Sequence, residues 1–315
     1  QLFLIIVICM LSHSVWAGRH SYAENSVLSQ GTVVKIRVSE TGIHSITYDE
    51  LKEWGLQPEK VRVLGYGGNM LNENFMLHKW DDLPSVAFYM HKGSDNVFNR
   101  GDYILFYAQG SIGWTYANNR WQHTRNPYSD YGYYFISDTA GEQRLISYAE
   151  ALDDTNAYDI DWYTAYYLHE MEKINLIDKT GKSGGGREFY GETLQANDKT
   201  LNVSFNTQHV RTDLPMTCFA DVAASSSELS TFTLQLAGKS TMVTIKPIST
   251  SDFETKAESG TMLLKTYPQT TGRQNVVLYY DYASSESSSM GYVNYIELNV
   301  PLQLTLQGSA ISICN

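Results

Sequence analysis

Alternating apolar and polar residues recur along the chain and predict β-strands. Between Gly31 and Val38 the apolar side chains fall at Val34, Ile36 and Val38, which is the period of a half-buried strand. Similar short segments, bounded by Gly, Asn, Asp or Pro, are found at 43–46, 61–64, 86–90, 103–107, 133–136, 201–205, 232–236, 242–245, 276–280, 292–298 and 302–306. The pattern therefore predicts a mainly β protein.

One segment has helical signals instead. Thr47 and Glu50 have the spacing of a capping box, and Gly55 supplies the residue that ends a helix. We predict one short helix near residues 48–54. The aromatic segment 158–172 is compatible with either a short helix or a broad strand.

Two domains are expected in a chain of 315 residues. Residues 179–187 are rich in Gly, Ser and Lys and are predicted to form a linker. Residues 26–178 are predicted to form a β-rich first domain. Residues 188–315 hold about seven short strands in a Ser/Thr-rich context, which predicts a β-sandwich of the jelly-roll type.

The first residues predict export. The apolar run from Leu2 to Leu11 is too short to span a bilayer, because about ten residues cover only about 15 Å. Val15 and Ala17 then occupy the −3 and −1 positions of a cleavage site. Residues 1–17 are therefore predicted to be a signal peptide with a truncated front, and the product to be exported.

Composition excludes some functions and leaves others open. The chain carries 23 Lys and Arg against 34 Asp and Glu, a formal charge of −11, so we expect no nucleic-acid partner. Only Cys218 and Cys314 remain after signal cleavage, and both are expected to behave as small apolar residues.

Candidate chemistry along the chain is weak. Gly181 and Lys182 lack the upstream glycine of a phosphate loop, and the histidines are too widely spaced for a zinc motif. Loop 93–102 gathers oxygen ligands that would suit calcium, although a capped turn is the favoured interpretation. We therefore predict no catalytic, cofactor-binding or metal residues, with calcium as the one open cofactor.

Aromatic residues form the candidate binding surface. Its members are Trp114, Trp121, Tyr131 and Tyr133. Four exposed, coplanar rings would favour sugar stacking, whereas rings packed against strands would favour a scaffold. The carbohydrate hypothesis describes a secreted carbohydrate-binding or adhesin β-sandwich, and it is the alternative to the function that follows.

A set of longer strings indicates a family. They lie at 35–43, 46–51, 61–68, 101–110, 126–135, 186–192 and 294–299. As a set they resemble the N-terminal region of the PorU-type sortases of the bacterial type IX secretion system, which are related to the gingipain cysteine peptidases. The resemblance covers most of residues 26–310.

The resemblance implies a Bacteroidetes-type protein exported through the periplasm to the cell surface and outer membrane. Sortases of this family cleave the C-terminal signal of secreted cargo and attach the cargo to anionic lipopolysaccharide. Their Cys and His peptidase domain follows the β-rich region, and nothing up to Asn315 matches that pair. We expect a non-catalytic scaffold and partner-binding portion. The expected partners are a PorV-like barrel and secreted cargo, and whether the chain is itself an enzyme stays open.

Overall fold

The computed structural model describes residues 23–74, 77, 80–150, 160–176, 188–248, 257–283 and 288–305. The predicted signal peptide, the predicted linker and Cys314 lie outside the described residues. The described chain is mainly antiparallel β-sheet with one short α-helix, which confirms the predicted fold class. Within these ranges no helix is long and apolar enough to cross a membrane.

The first domain contains two small sheets, a hairpin and the helix. In chain order its elements are β1 (Val33–Val38), β2 (Gly42–Thr47), α1 (Tyr48–Glu53), β3 (Arg62–Gly67), β4 (Ser85–Val86), β5 (Phe88–His91), β6 (Tyr103–Ala108), β7 (Ile112–Ala117), β8 (Arg120–Arg125) and β9 (Gly132–Ser137). One sheet has the order β1-β9-β3-β4 and the other β2-β6-β5, while β7 and β8 pair with each other. A 3-10 turn at Pro58–Lys60 follows the helix.

The predicted helix is present with its predicted cap. The Glu50 backbone N–H donates to Thr47 Oγ1 at 3.2 Å, and the Thr47 N–H donates to Glu50 Oε2 at 2.7 Å. Leu51 is fully buried in the core between the two sheets, and Gly55 has a φ of +78° just beyond the end of the helix. The helix therefore closes one side of the first core.

Three glycines of the first domain allow unusually close backbone contact. A Cβ on Gly68 would lie 2.6 Å from the carbonyl carbon of Gly110, and a Cβ on Gly132 would lie 2.9 Å from the Gly68 nitrogen. Each glycine comes from a different string of the family resemblance. All three positions must be glycine for lack of space, because any side chain there would collide with a neighbouring backbone.

The second domain is a sandwich of two sheets. Its strands are β10 (Trp162–Glu170), β11 (Ile174–Asn175), β12 (Phe189–Tyr190), β13 (Thr193–Leu194), β14 (Thr200–Phe205), β15 (Met216–Ser225), β16 (Ser230–Leu236), β17 (Lys239–Ile245), β18 (Glu258–Thr266), β19 (Gln274–Tyr282) and β20 (Met290–Gln303). One sheet has the order β10-β20-β15-β18, with β13 also on β20, and faces the sheet β14-β19-β16-β17. The chain passes repeatedly between the two sheets, as in a jelly roll.

Several elements differ in detail from the sequence prediction. The segments 292–298 and 302–306, predicted as two strands, instead belong to one 14-residue strand, β20, which ends at Gln303. Pro301 is tolerated there because the pairing of β20 with β15 reaches only to Asn299, so its missing N–H breaks no bond to β15. Strands β15 and β18 and the β7–β8 hairpin were not predicted.

Strand β10 resolves the ambiguous segment and links the two halves of the chain. It precedes the predicted linker, yet it pairs with β20 from Trp162 opposite Gln303 to Glu170 opposite Tyr295. A strand within the predicted range of the first domain thus completes the first sheet of the sandwich. The first domain contacts the outer face of this sheet.

Candidate functional site

The sheet β10-β20-β15-β18 has one face in the sandwich core and an outer face that carries polar side chains. Solvent would normally contact such a face, but here the first domain covers it. Along β20 the side chains alternate, and those facing the core are Ile296, Leu298 and Val300. Tyr295, Glu297 and Asn299 point the other way, with Glu170 of β10 opposite Tyr295 and Tyr166 opposite Asn299. The β7–β8 hairpin of the first domain packs over this face, so Glu297 is only 1% exposed.

Five charged side chains join the hairpin to this face. Glu297 Oε1 accepts from the His123 backbone N–H at 2.7 Å and lies 2.7 Å from His123 Nδ1, while Glu297 Oε2 contacts Arg120 Nη1. His123 Nε2 lies 3.3 Å from Glu170 Oε1. Arg125 Nε donates to Glu170 Oε2 at 2.5 Å. We call these five residues the interdomain clasp.

Uncharged contacts extend the clasp along β8. Asn299 Oδ1 accepts the Trp121 backbone N–H at 2.5 Å, and Asn299 Nδ2 donates to the Trp121 carbonyl at 3.1 Å. The rings of Trp114 and Trp121 lie 4.4 Å and 5.0 Å from the ring of Tyr166, measured between centroids. The side chain of Asn299 thus pairs with the hairpin backbone much as a neighbouring strand would.

The clasp keeps its histidine charged. Burial alone would lower the pKa of His123, but its hydrogen bonds to Glu170 and Glu297, and their negative charges, raise it to about 9. Burial likewise favours the neutral form of Glu170, and this is outweighed by His123 and Arg125, which lower its pKa. Both ring nitrogens of His123 face carboxylates, so the imidazole serves to hold the two domains together and has no nitrogen left for a substrate proton.

A cavity of about 180 Å³ adjoins the clasp. It is lined by one further carboxylate, that of Glu172, whose charged form is disfavoured by its surroundings. Glu172 lines it together with His123, Arg125 and Glu170. Burial and the neighbouring charge of Glu170 raise the pKa of Glu172 to about 7, although Arg125 opposes the shift. The proton occupancy of Glu172 therefore changes near neutral pH, at the edge of the clasp.

The candidate surface residues are separated into two pairs. Trp114 and Trp121 lie on the hairpin, as described above. Tyr131 and Tyr133 lie instead beside β1, where the Arg37 guanidinium is 4.7 Å from the Tyr131 ring centroid and Lys35 Nζ is 4.0 Å from that of Tyr133. Each tyrosine ring therefore contacts a cation, and the binding role given to the four residues stays a prediction.

The loop considered for calcium is held together by its own carboxylates. Asp102 accepts the backbone N–H groups of Gly93 at 3.0 Å and Asn99 at 2.8 Å. Asp95 accepts the Val97 N–H and the Asn99 side-chain amide. This is the geometry of a capped turn. In the part of the chain that the structure describes, no three His, Cys, Asp or Glu residues are grouped to hold a metal ion.

Cys218 is placed where nucleophilic chemistry is blocked. Its side chain is fully buried in the sandwich core, and this burial, together with the negative charge of Glu297, raises the pKa of its thiol to about 12. Cys218 therefore behaves as the small apolar residue that the sequence predicted.

Sequence reasoning missed the clasp. The one available signal was the alternation on β20, where aromatic and polar residues occupy every second position of an otherwise apolar strand. Such a face is normally solvated, and nothing local to β20 indicates that His123, 174 residues earlier, would cover it.

The fold and the site together define a two-domain β protein, with a jelly-roll sandwich joined to a smaller domain through a buried ionic cluster. This architecture is similar to that of dimeric latent PorU from Porphyromonas gingivalis, at 25% sequence identity and a TM-score of 0.76. The alignment covers 92% of this chain and 26% of the PorU chain. The chain has a PorU-like fold and spans about a quarter of the length of PorU.

Other solved structures are much less similar to this chain. A CBM36 carbohydrate-binding module in complex with calcium and xylotriose aligns at 19% identity over 35% of this chain and 81% of that chain, with a TM-score of 0.24. A β-porphyranase from Bacteroides plebeius aligns at 10% identity over 88% and 36%, also with a TM-score of 0.24. Searches of protein-family profiles and of curated proteins give no match to this chain.

Proposed function

We propose that this chain is the non-catalytic N-terminal region of a PorU-like sortase and acts as a scaffold and partner-binding region. The observation that carries the proposal is the similarity to PorU over 92% of the chain at a TM-score of 0.76. It agrees with the strings at 61–68, 101–110 and 126–135 that resemble this family in sequence.

The interdomain clasp supports a scaffold role. A scaffold must hold its domains in a fixed relative orientation. Buried charge pairs are directional, so they define this orientation better than apolar contacts alone. Glu297 contacts Arg120 and His123 together, so the hairpin has one defined position on the sandwich. Partner surfaces on the two domains would then be presented in a constant arrangement.

The proposal assigns catalysis to the Cys and His peptidase domain that follows the β-rich region in this family. A gingipain-type reaction needs a cysteine thiolate beside a histidine, and the thiolate attacks the scissile carbonyl. Cys218 cannot supply that thiolate, because burial in the core raises the pKa of its thiol to about 12. Cys218 is therefore not proposed as a nucleophile.

The proposal includes a location and partners. As part of a sortase that acts on secreted cargo, the chain would be exported and held at the cell surface beside the outer membrane. Its partners would be a PorV-like barrel, the peptidase domain that follows in this family, and secreted cargo.

Binding to the PorV-like barrel tests the proposal. The chain is titrated against the detergent-solubilised PorV-like barrel of the same organism, and binding is measured by calorimetry. We expect saturable 1:1 binding. We expect Glu297→Gln, which weakens the clasp, to reduce the affinity. Absence of binding by the unmodified chain would contradict the partner proposal.

A second measurement tests the non-catalytic assignment. The chain is incubated with a synthetic peptide carrying a cargo C-terminal signal, and the mixture is followed by mass spectrometry. We expect the peptide to remain intact. Cleavage that Cys218→Ala abolishes would overturn the assignment.

A further inference from the structure

A second cavity, of about 160 Å³, lies where the hairpin, the first domain and the sandwich meet. Its main lining residues are Asn69, Tyr107, Gln109, Trp114, Trp121 and Tyr166. We call it the aromatic cleft. All the side chains that line it are uncharged, although the chain as a whole carries a formal charge of −11. This contrasts with the cavity beside the clasp, which is lined by Glu, Arg and His.

Tyr107 offers an open ring at this cleft. It is 53% exposed on β6, and its neighbour across the sheet, Ile43, is 56% exposed. The other rings form a packed wall, because Trp114 and Trp121 both contact Tyr166. A flat ligand can therefore lie against an accessible aromatic face while rigid rings bound it on another side.

An amide pair supplies polar groups beside these rings. Asn69 Nδ2 donates to Gln109 Oε1 at 3.0 Å, which leaves Asn69 Oδ1 as an acceptor and Gln109 Nε2 as a donor. Gly113 makes this arrangement possible, since a Cβ there would lie 2.8 Å from Asn69 Oδ1. A donor and an acceptor side by side match two neighbouring hydroxyl groups of one ligand.

A further donor in the wall has no acceptor. Trp121 Nε1 is buried and makes no hydrogen bond among the described residues. Such a group carries a desolvation cost.

We propose that the aromatic cleft binds a neutral saccharide through one pyranose ring. Its exposed tyrosine stacks on the apolar face of the sugar, and the Asn69–Gln109 pair hydrogen-bonds to adjacent hydroxyl groups. At about 160 Å³ the cleft is smaller than the ~300–1,000 Å³ pockets that hold drug-sized ligands, so it accommodates a single ring. An extended proline-rich peptide fits less well, because it needs a groove about 3.1 Å long per residue. The scaffold role does not require this ligand, so the two proposals stand or fall separately.

Titration with simple glycosides tests the cleft. The chain is titrated with methyl glycosides of glucose, galactose, mannose and N-acetylglucosamine, and with a polyproline peptide. Binding is followed by tryptophan fluorescence and by saturation-transfer NMR of the glycoside. We expect at least one glycoside to saturate the fluorescence change with a Kd of about 1 mM or tighter.

Variants locate the binding. We expect Tyr107→Ala and Asn69→Ala each to weaken the glycoside by about tenfold or more. Tyr128→Ala removes an exposed ring that does not line the cleft and should leave the Kd unchanged. The proposal is overturned if no glycoside binds at about 50 mM, far above that Kd. It is also overturned if both cleft variants bind normally, or if only the peptide binds in a Tyr107-dependent way.

Discussion

Glu297 Oε1 lies 2.7 Å from His123 Nδ1 and also accepts the backbone N–H of His123 at 2.7 Å. These residues are 174 positions apart in the sequence and belong to different domains. One carboxylate oxygen therefore fixes both the backbone and the side chain of the hairpin against the sandwich. Because Glu297 is almost fully buried, the stability of the two domains is coupled through this contact.

Glu297→Gln should destabilise the protein strongly. Glutamine preserves the size of the side chain but removes the charge, so Arg120 and His123 lose their shared counter-ion while remaining largely buried. Removing one member of a buried ion pair costs about 3–5 kcal/mol. We expect a loss of this size in the free energy of unfolding, measured with urea at pH 7.

A surface pair provides the matched control for that experiment. Asp213 is 61% exposed and lies 2.8 Å from Arg211, so Asp213→Asn also breaks a carboxylate–guanidinium contact. Two hydrogen bonds hold Asp213 to Arg211, but the carboxylate is exposed, so the pair contributes about 1 kcal/mol or less. Asp213→Asn should lower the free energy of unfolding by no more than this amount, and an equally small effect of Glu297→Gln would refute the importance of the clasp.

His123 should make stability fall as the pH rises above neutral. Its pKa is about 9 in the folded state against an ordinary value of 6.5. The folded state thus retains a proton that the unfolded chain has already lost. The stabilisation is complete below about pH 6.5 and disappears as the pH passes 9, which amounts to about 2 kcal/mol between pH 7 and 9. Urea unfolding at several pH values measures this slope, and His123→Gln should remove most of it.

Glu172 should also make the stability of the protein fall as the pH rises, but over a lower range of pH than His123 does. Burial and the charge of Glu170 raise its folded pKa to about 7 from 4.5, so its favourable neutral form is lost as the pH rises through 7. We predict that Glu172→Gln stabilises the protein at pH 8 and has no effect on stability at pH 4.5. Thermal melts at the two pH values make the comparison, and equal effects at both would contradict the prediction.

Local signals were sufficient for much of the fold. The capping box of Thr47 and Glu50 located α1, and the alternation of Phe232, Leu234 and Leu236 located β16, because each pattern depends on residues within one element. Local patterns located the ends of strands less accurately than the strands themselves. The segments 292–298 and 302–306 were predicted as two strands, although β10 pairs with β20 without a break from Tyr295 to Gln303.

The site could not be predicted in the same way. Trp114 and Trp121 were recognised as a candidate surface from their residue types, but their contact with Tyr166 depends on the docking of one domain on another. The same is true of Glu170, which looks like an exposed acidic residue until Arg125 is placed against it. Contacts between distant elements leave no periodicity in the sequence.

Gly132→Ala tests whether close backbone packing explains one of the family strings. Gly132 begins β9, is buried, and leaves no room for a methyl group, because a Cβ would meet the Gly68 nitrogen at 2.9 Å as well as the carbonyl oxygen of Gln109. Overpacking of this kind costs about 1–3 kcal/mol. Gly42→Ala is the control: Gly42 begins β2 in the same domain, and a Cβ there has no neighbour within 4 Å. We expect urea unfolding to show the loss for Gly132→Ala and little change for Gly42→Ala. Equal effects of the two substitutions would mean that Gly132 is present for some reason other than space.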